Sequence, residues 1–246
     1  MPEQHFEQQA DQVLAEQQAL ARLAIIPCDH IVNIAIVHNP VNSTHFFTTD
    51  EEDLRPFFDV VTLPIPPPSA RAIVRSLCSA LGHLHGHDII HRDIKPENLL
   101  VPPEGLEGQL KLTGFANASL QPTSLSFVGT PEYMAPEIMR ADTVAYTNVV
   151  DWWSLGCLTS ELLTGTTPFH MAGADVPTLV RMIIWDPITV PTHPHVGPLE
   201  RDFIMALLQR NPSARLGGQG HTAVLAHPWF LPTTVDVGVD VGDTEE

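Results

Sequence analysis

The sequence predicts an α+β fold, in which a small N-terminal part with two strands precedes a larger, mainly helical part. The first supporting observation is a pair of β-branched and aromatic runs, residues 30–37 and 44–49, separated by the turn-forming run Asn39-Pro40-Val41-Asn42. The second is the helical spacing of large apolar residues in the second half. These residues are Trp152, Leu155, Leu158 and Leu162, then Phe203, Ile204, Leu207 and Leu208.

The composition is that of a globular intracellular protein. With 246 residues, of which 43% are hydrophobic and 17% charged, the chain can bury a sizeable core. No apolar run approaches the roughly 18 residues that span a bilayer, and the first residues lack the pattern of a signal peptide. We therefore expect a cytoplasmic or nuclear protein with no membrane partner. Cys28, Cys78 and Cys157 are far apart, which favours buried thiols over disulfides or a zinc site.

The charge argues against nucleic acid as a partner. The chain has 29 acidic and 12 basic residues, a net charge of −17, which repels a phosphate backbone. Acidic residues concentrate at residues 50–53 and in a tail of residues 232–246. Either segment could attract a basic protein partner, although such runs more often only keep a chain soluble.

In chain order, the first predicted helix covers residues 11–23 and ends before Pro27. The two strands follow. Residues 63–69 are rich in proline, which predicts an extended connection with Ser69 capping the next helix. The alternative for this connection is a proline-rich ligand for an aromatic groove.

The next helix begins at Ala70 and carries an apolar stripe that we expect to be buried. Short strands are predicted at residues 99–101 and 110–113, and the helix around residues 203–208 is expected to end at Pro212. The predicted divisions are residues 1–62, residues 63–231 and a disordered acidic tail of residues 232–246. The stripe consists of Ile73, Val74, Leu77, Leu81 and Leu84.

A set of motifs gives the chain a family resemblance. The run His91-Arg92-Asp93-Ile94-Lys95-Pro96-Glu97-Asn98 resembles the catalytic loop of protein kinases. Five further runs resemble that family in the same order: Gly129-Thr130-Pro131-Glu132-Tyr133-Met134-Ala135-Pro136-Glu137, Asp151-Trp152-Trp153-Ser154-Leu155-Gly156, Pro168-Phe169, Arg210-Asn211-Pro212-Ser213-Ala214-Arg215-Leu216-Gly217 and His227-Pro228-Trp229-Phe230. The residues that make up these runs are similar to those of the AGC group of serine/threonine kinases. The resemblance implies a protein kinase-like fold, with a mainly helical large lobe and a rudimentary small lobe.

The resemblance also implies site residues for a reaction that uses ATP and magnesium on a protein substrate. Asp93 would accept the proton of the substrate hydroxyl, Lys95 would face the transferring phosphate, and Asn98 would hold a magnesium ion. Glu16, which resembles the helix glutamate that pairs with a strand lysine, and Leu100 would belong to the cofactor site. For Glu16 the alternative is a solvated acid at a helix end.

Three residues are expected to be regulatory by the same resemblance. Arg92 would receive a phosphorylated activation loop, with Ser126 as the candidate acceptor, and Thr130 lies in the same segment. The alternative for Ser126 is an ordinary loop serine.

Further matches concern the fold rather than the reaction. Glu137 and Arg215 resemble an ion pair of the large lobe, and Asp151 resembles an acceptor for amides of the catalytic loop. Leu20, His91 and Phe115 resemble members of a side-chain stack that couples the lobes.

Departures from the family predict impaired phosphoryl transfer. The magnesium-binding Asp-Phe-Gly triplet reads Gly114-Phe115-Ala116, the first glycine is Gly82, and the lysines are Lys95 and Lys111. Losing one such electrostatic contact typically reduces the rate by about 10²–10³. We expect a pseudokinase that acts by binding, or an incomplete version of a longer protein. The alternatives are an active kinase whose single metal ion is held by Asn98 or Glu97, and a scaffold that binds no nucleotide.

The histidines before the catalytic loop suggest one rival kind of site. His83 and His87 would share a helical face at a spacing suited to a metal ion. The sequence shows no third ligand beside them, so metal binding is the lesser alternative.

Overall fold

The computed structural model describes residues 17–33, 35–39, 44–48, 51, 53–107, 109–140 and 144–231. Helices dominate the larger part, which confirms the predicted α+β class. In the described residues they are α1 (residues 17–23), α2 (Phe57–Val60), α3 (Pro67–Gly86), α4 (Val149–Thr164), α5 (Val176–Ile184), α6 (Pro198–Leu207) and α7 (His221–Leu225). Not one of these helices combines the length and the apolar character that a membrane span requires.

Short strands form two small antiparallel sheets within the same residues. β1 (Ala35–Asn39) pairs with β2 (Thr44–Thr48), which confirms the predicted strand pair. β3 (Arg55–Pro56), β4 (Leu99–Val101) and β5 (Lys111–Leu112) form the second sheet in that order.

The prediction that the first strand begins at His30 was wrong. The backbone N–H of Val32 instead donates to the carbonyl of Leu112 at 3.0 Å, and the N–H of Leu112 donates to the carbonyl of His30 at 2.9 Å. Ile31 and Leu112 thus form a parallel bridge. The segment before β1 is therefore joined to β5, close to the start of the triplet at Gly114.

The predicted start of α3 was also wrong, because the prolines take part in the helix. The helix begins at Pro67, with Pro66 as its N-cap residue, rather than after Ser69. The first N–H groups of a helix have no intrahelical acceptor, so Pro67 and Pro68 lose no hydrogen bond there, and their φ already suits a helix.

The core of the larger part is built around α4, which packs against α3 and α6. The predicted apolar residues of all three helices are buried, each with 1% exposure or less. Gly156 allows close packing of α4 on α6, since a Cβ there would lie 2.9 Å from Cβ of Leu207. Burial of each such side chain contributes about 1.5–3 kcal/mol to the stability of the fold. The packed helices therefore support the loops that follow α3.

The end of α6 differs from the prediction. The helix ends at Leu207, and the N–H of Leu208 donates to the carbonyl of Ile204. Pro212 does not end α6 but opens the 3₁₀ turn Pro212–Ala214, where Asn211 accepts from the N–H of Ser213. The stop was misplaced because Pro212 fits the first position of the next turn.

Candidate functional site

The loop from His91 to Asn98 is held by a buried carboxylate of α4. Asp151 accepts hydrogen bonds from the backbone N–H groups of His91 at 3.0 Å and Arg92 at 2.8 Å, as predicted. His85 of α3 contacts the same carboxylate through Nε2 at 2.8 Å, a contact that the sequence did not reveal. Burial acts to raise the pKa of Asp151, but the bond to His85 and its charge outweigh it and the pKa is lowered. A charged Asp151 therefore supports Arg92 in its left-handed conformation, with φ 68°.

Asp93, Lys95 and Thr130 form one connected cluster. The Thr130 hydroxyl donates to Oδ1 of Asp93 at 2.7 Å and accepts from Nζ of Lys95 at 2.7 Å. Nζ of Lys95 also lies 3.2 Å from Oδ2 of Asp93. Burial acts to raise the pKa of Asp93, but the Thr130 hydroxyl and the Lys95 ammonium outweigh it and the pKa is lowered. The predicted catalytic pair is thus brought together, with the carboxylate ionised.

Asn98 occupies the space that a side chain at residue 114 would need. Its amide donates to the backbone carbonyl of Asp93 at 2.7 Å and to Oδ2 of Asp93 at 3.2 Å. Gly114 follows β5 in the left-handed region, with φ 82° and ψ 49°. A Cβ added there would lie 2.3 Å from both Cγ and Oδ1 of Asn98. The loss of the aspartate is therefore accompanied by close packing of Asn98 against Gly114.

These residues do not fit the magnesium site of the family. Magnesium requires near-octahedral oxygen ligands, with one or two carboxylates among them. Gly114 supplies no side-chain oxygen, and Asn98, whose amide nitrogen donates to Asp93, offers only its neutral amide oxygen. Glu97 is exposed, and its charge acts on Tyr133 and Glu161. Among the residues that the structure describes, no three His, Cys, Asp or Glu side chains are grouped for a metal ion.

Arg92 binds the segment that begins at Asn117 through neutral groups. Its guanidinium donates to two backbone carbonyls of that segment, to Oγ of Ser124 at 2.9 Å and to the hydroxyl of Tyr146 at 3.2 Å. Tyr146 in turn donates to the carbonyl of Ser126 at 2.7 Å. The Ser126 side chain is exposed, so the hydroxyl against Arg92 belongs to Ser124. The regulatory roles of Arg92, Ser126 and Thr130 stay predictions.

The predicted ion pair of the large lobe is present. NH1 and NH2 of Arg215 donate to the two carboxylate oxygens of Glu137 at 2.6 and 2.9 Å. The Arg215 guanidinium also lies 5.2 Å from the ring centroid of Trp153. The side chain of Arg215 has no exposed surface, so the pair ties the segment containing Glu137 to the core.

Two members of the predicted stack are in contact. The rings of His91 and Phe115 lie edge to face, 5.0 Å apart, and Nε2 of His91 lies 2.9 Å from the carbonyl of Thr113. Leu20 of α1 is buried in the same core. Phe115 is therefore packed inward although its neighbour Gly114 has lost the aspartate side chain.

An acidic cluster beside the catalytic loop was not predicted from the sequence. The Tyr133 hydroxyl donates to Oε2 of Glu161 at 2.5 Å. Burial and the nearby carboxylates of Glu97 and Glu132, opposed by the bond from Tyr133, raise the pKa of Glu161 to about 7. Glu132 also accepts from the Thr167 hydroxyl at 3.2 Å. The three carboxylates come from separate segments of the chain, so only the fold brings them together. They favour a cationic group beside the catalytic loop.

The two predicted cofactor residues have different outcomes. Glu16 lies outside the described residues. Leu100 is half-buried on β4, opposite Pro56 of β3 and Lys111 of β5. Its role at a cofactor stays a prediction.

The candidate metal histidines are engaged with the backbone. The rings of His83 and His87 are 4.6 Å apart. Nε2 of His83 lies 2.9 Å from the carbonyl of Ile26, and Nδ1 of His87 lies 2.8 Å from the carbonyl of His83. His83 therefore links α3 to the segment after α1, which gives this histidine a structural role.

Comparisons with known proteins agree with this geometry. Residues 1–230 match the protein kinase domain family. The serine/threonine protein kinase ypkA of Aspergillus fumigatus is 38% identical over 165 residues, which cover 65% of this chain and 25% of that protein. Protein kinase 2 of Dictyostelium discoideum is 37% identical over 166 residues, 66% of this chain and 33% of that protein. Human ribosomal protein S6 kinase alpha-4 is 42% identical over 161 residues, 61% of this chain and 20% of that protein.

This chain spans a third or less of the length of these relatives. The family match covers the catalytic loop, the Glu137–Arg215 pair and the packed core of α3, α4 and α6. The chain belongs to the protein kinase family, and within it to the AGC-like serine/threonine kinases.

Proposed function

We propose that this protein is a serine/threonine kinase-like domain with impaired phosphoryl transfer, which acts by binding protein partners. The observation that carries the proposal is the absence of a carboxylate at Gly114, where Asn98 fills the space that a Cβ would need. Gly114 lies inside the region that matches the family. The proposal includes a location in the cytoplasm or the nucleus.

The electrostatics of the site support this proposal. In the family, magnesium neutralises the charge that develops on the phosphates during transfer. Without a carboxylate at residue 114, the metal would depend on the neutral amide oxygen of Asn98, because its amide nitrogen donates to Asp93 and cannot bind a metal ion. Losses of this kind lower the rate by about 10²–10³ each, and they need not add.

The second candidate is an active kinase that transfers the γ-phosphate of ATP to protein hydroxyls. The assembled cluster of Asp93, Lys95 and Thr130 favours it. The acidic group of Glu97, Glu132 and Glu161 would suit a basic peptide substrate.

Radiolabel transfer from ATP to a basic peptide distinguishes the two candidates. The matched control is Asp93→Asn, which removes the candidate base and keeps the size of the side chain. Incorporation that equals the Asp93→Asn background supports impaired transfer. Incorporation well above that background, lost in Asp93→Asn, establishes the active kinase.

A second pair of variants tests the role of residue 114. Gly114→Asp and Gly114→Ala both displace Asn98, because each adds a Cβ at the same place. Only the aspartate adds a metal ligand, so we expect magnesium to increase ATP-dependent stabilisation in Gly114→Asp but not in Gly114→Ala. Equal responses would show that the missing carboxylate is not the limiting group.

A further inference from the structure

Arg92 joins both ends of the segment of residues 117–129 to the catalytic loop. Its guanidinium donates to two backbone carbonyls at the start of this segment. At the other end, a Cβ added to Gly129 would lie 2.6 Å from the carbonyl oxygen of Arg92, so the backbone of the segment passes close to the loop. Arg92 also directly precedes Asp93, the candidate base. The position of the segment and that of the catalytic loop are therefore coupled through one residue.

The middle of this segment is held to Arg92 by two hydroxyl groups. Nη1 of Arg92 donates to Oγ of Ser124 at 2.9 Å and to the hydroxyl of Tyr146 at 3.2 Å. Ser124 and Tyr146 also exchange two backbone hydrogen bonds of 2.9 Å, which form an antiparallel bridge. Tyr146 is 2% exposed, and its hydroxyl donates to the carbonyl of Ser126 at 2.7 Å. Side-chain and backbone contacts thus fix the same part of the segment.

The four acceptors of the Arg92 guanidinium are uncharged. Nε, Nη1 and Nη2 all donate, to two carbonyls and two hydroxyls. A half-buried guanidinium needs acceptors for its N–H groups, and these four supply them without a phosphate. Oγ of Ser124 also accepts from the backbone N–H of Ser126 at 3.2 Å, whereas the side chain of Ser126 is exposed. The unphosphorylated segment therefore already satisfies Arg92.

We propose that Arg92, Ser124 and Tyr146 form a latch, the Arg92 latch, which orders residues 117–129 without phosphorylation. Ser124 and Tyr146 are then positioning residues, whose hydroxyls replace the phosphate that the family resemblance leads one to expect on Ser126. A phosphate would bind Arg92 more strongly than a hydroxyl does, but the hydroxyls need no modifying enzyme. The latch deepens the proposed function, because it keeps the catalytic loop in one arrangement for a partner. It rests on the proposed kinase-like domain and not on the loss of phosphoryl transfer.

Hydrogen exchange of single backbone N–H groups, followed by NMR on the phosphatase-treated full chain, tests the latch. The first reporter is Ser119, whose N–H donates to the carbonyl of Ile90 at 2.8 Å, and the second is Tyr146, whose N–H donates to that of Ser124 at 2.9 Å. We expect both to exchange at least about 100-fold more slowly than in an unfolded chain. A chain expressed with phosphoserine at residue 126 should show the same rates. Exchange at the unfolded rate, or slowing of about tenfold or more by the phosphoserine, would overturn the proposal.

Matched serine variants separate the latch from the general order of the segment. Ser124→Ala is expected to accelerate exchange at both reporters by roughly tenfold to hundredfold, because a hydrogen bond to a charged group is lost. Ser126→Ala makes the same change at an exposed side chain and is expected to leave both rates unchanged. Ser124→Thr keeps a hydroxyl and should retain the slow exchange, which a role in packing alone does not predict. Tyr146→Phe removes only the second hydroxyl and should act like Ser124→Ala.

Two results with these variants would contradict the latch. One is equal acceleration in Ser124→Ala and Ser126→Ala, and the other is unchanged exchange in both Ser124→Ala and Tyr146→Phe. Exchange within α4 should stay the same in every variant, which verifies that the core is folded. The comparison with phosphoserine needs no variant that could fail to fold. Because none of these measurements contains ATP, failure of the latch and a working kinase are separate results.

Discussion

Removal of the Glu137 carboxylate is expected to destabilise the protein severely. The side chains of Arg215 and Glu137 are 0% and 13% exposed. Besides Glu137, the Arg215 guanidinium donates to the carbonyls of Gln209 at 2.9 Å and Val149 at 3.0 Å. In Glu137→Ala these carbonyls would remain, but the buried cation would lose its counter-charge. Breaking a buried pair in this way costs about 3–5 kcal/mol.

That free energy corresponds to a measurable fall in the melting temperature. At about 2–4 °C per kcal/mol for a chain of this length, the Tm of Glu137→Ala should fall by roughly 6–20 °C, as followed by circular dichroism. The control is Arg181→Ala, which removes a pair whose side chains are 63% and 41% exposed and should cost no more than about 1 kcal/mol.

A double variant separates loss of contact from burial of a lone charge. Glu137→Leu combined with Arg215→Met removes both charges, and we expect it to unfold at a higher temperature than Glu137→Ala. If Glu137→Ala melts no lower than Arg181→Ala, the argument from the buried cation is refuted.

Two other predictions concern packing and pH. Gly217→Ala should lower the free energy of unfolding by more than about 1 kcal/mol, because φ is 100° and the new Cβ would lie 2.4 Å from Cγ of Trp152. In urea unfolding, Gly86→Ala, with no atom within 4 Å of its Cβ, should be neutral or stabilising, and equal losses would contradict the packing argument. The raised pKa of Glu161, from 4.5 to about 7, means that the folded state binds more protons than the unfolded state between these values. Stability therefore falls as pH rises through this window, and Tm measurements should show a smaller fall in Glu161→Gln; an unchanged fall would exclude Glu161 as its source.

The parts of the molecule that sequence predicted well have their partners encoded in patterns. The stripe on α3 is readable because burial on one side of a helix repeats every three to four residues. Asp151 and the Glu137–Arg215 pair were predicted because each lies in a motif that resembles the family. In each case the sequence predicted the contact, and the structure added its distances.

The errors have in common that the deciding contact is distant in sequence. Ile31 and Val32 look like the start of β1, yet they pair with Leu112, which local propensity does not indicate. The start of α3 failed for a different reason, since Pro67 can be either extended or the first residue of a helix.

The candidate site shows the same limit. The sequence reveals that Gly114 lacks a carboxylate, but only the fold shows Asn98 packed into the place of its Cβ. The sequence predicts that Arg92 receives a phosphate group. The hydroxyls of Ser124 and Tyr146 that contact Arg92 could not be inferred from the spacing of residues. His85 carried no signal, since its acceptor Asp151 lies on another helix.

Thermal unfolding of the full chain with ATP, first in magnesium and then in EDTA, tests the central claim most directly. A ligand at 100 times its dissociation constant adds about 2.7 kcal/mol, which corresponds to roughly 5–11 °C at about 2–4 °C per kcal/mol. Because Gly114 supplies no metal ligand and Asn98 offers only a neutral amide oxygen, we predict that magnesium adds nothing to any effect of ATP on the Tm. A rise of several degrees that requires magnesium would contradict this and show that the site assembles without the aspartate.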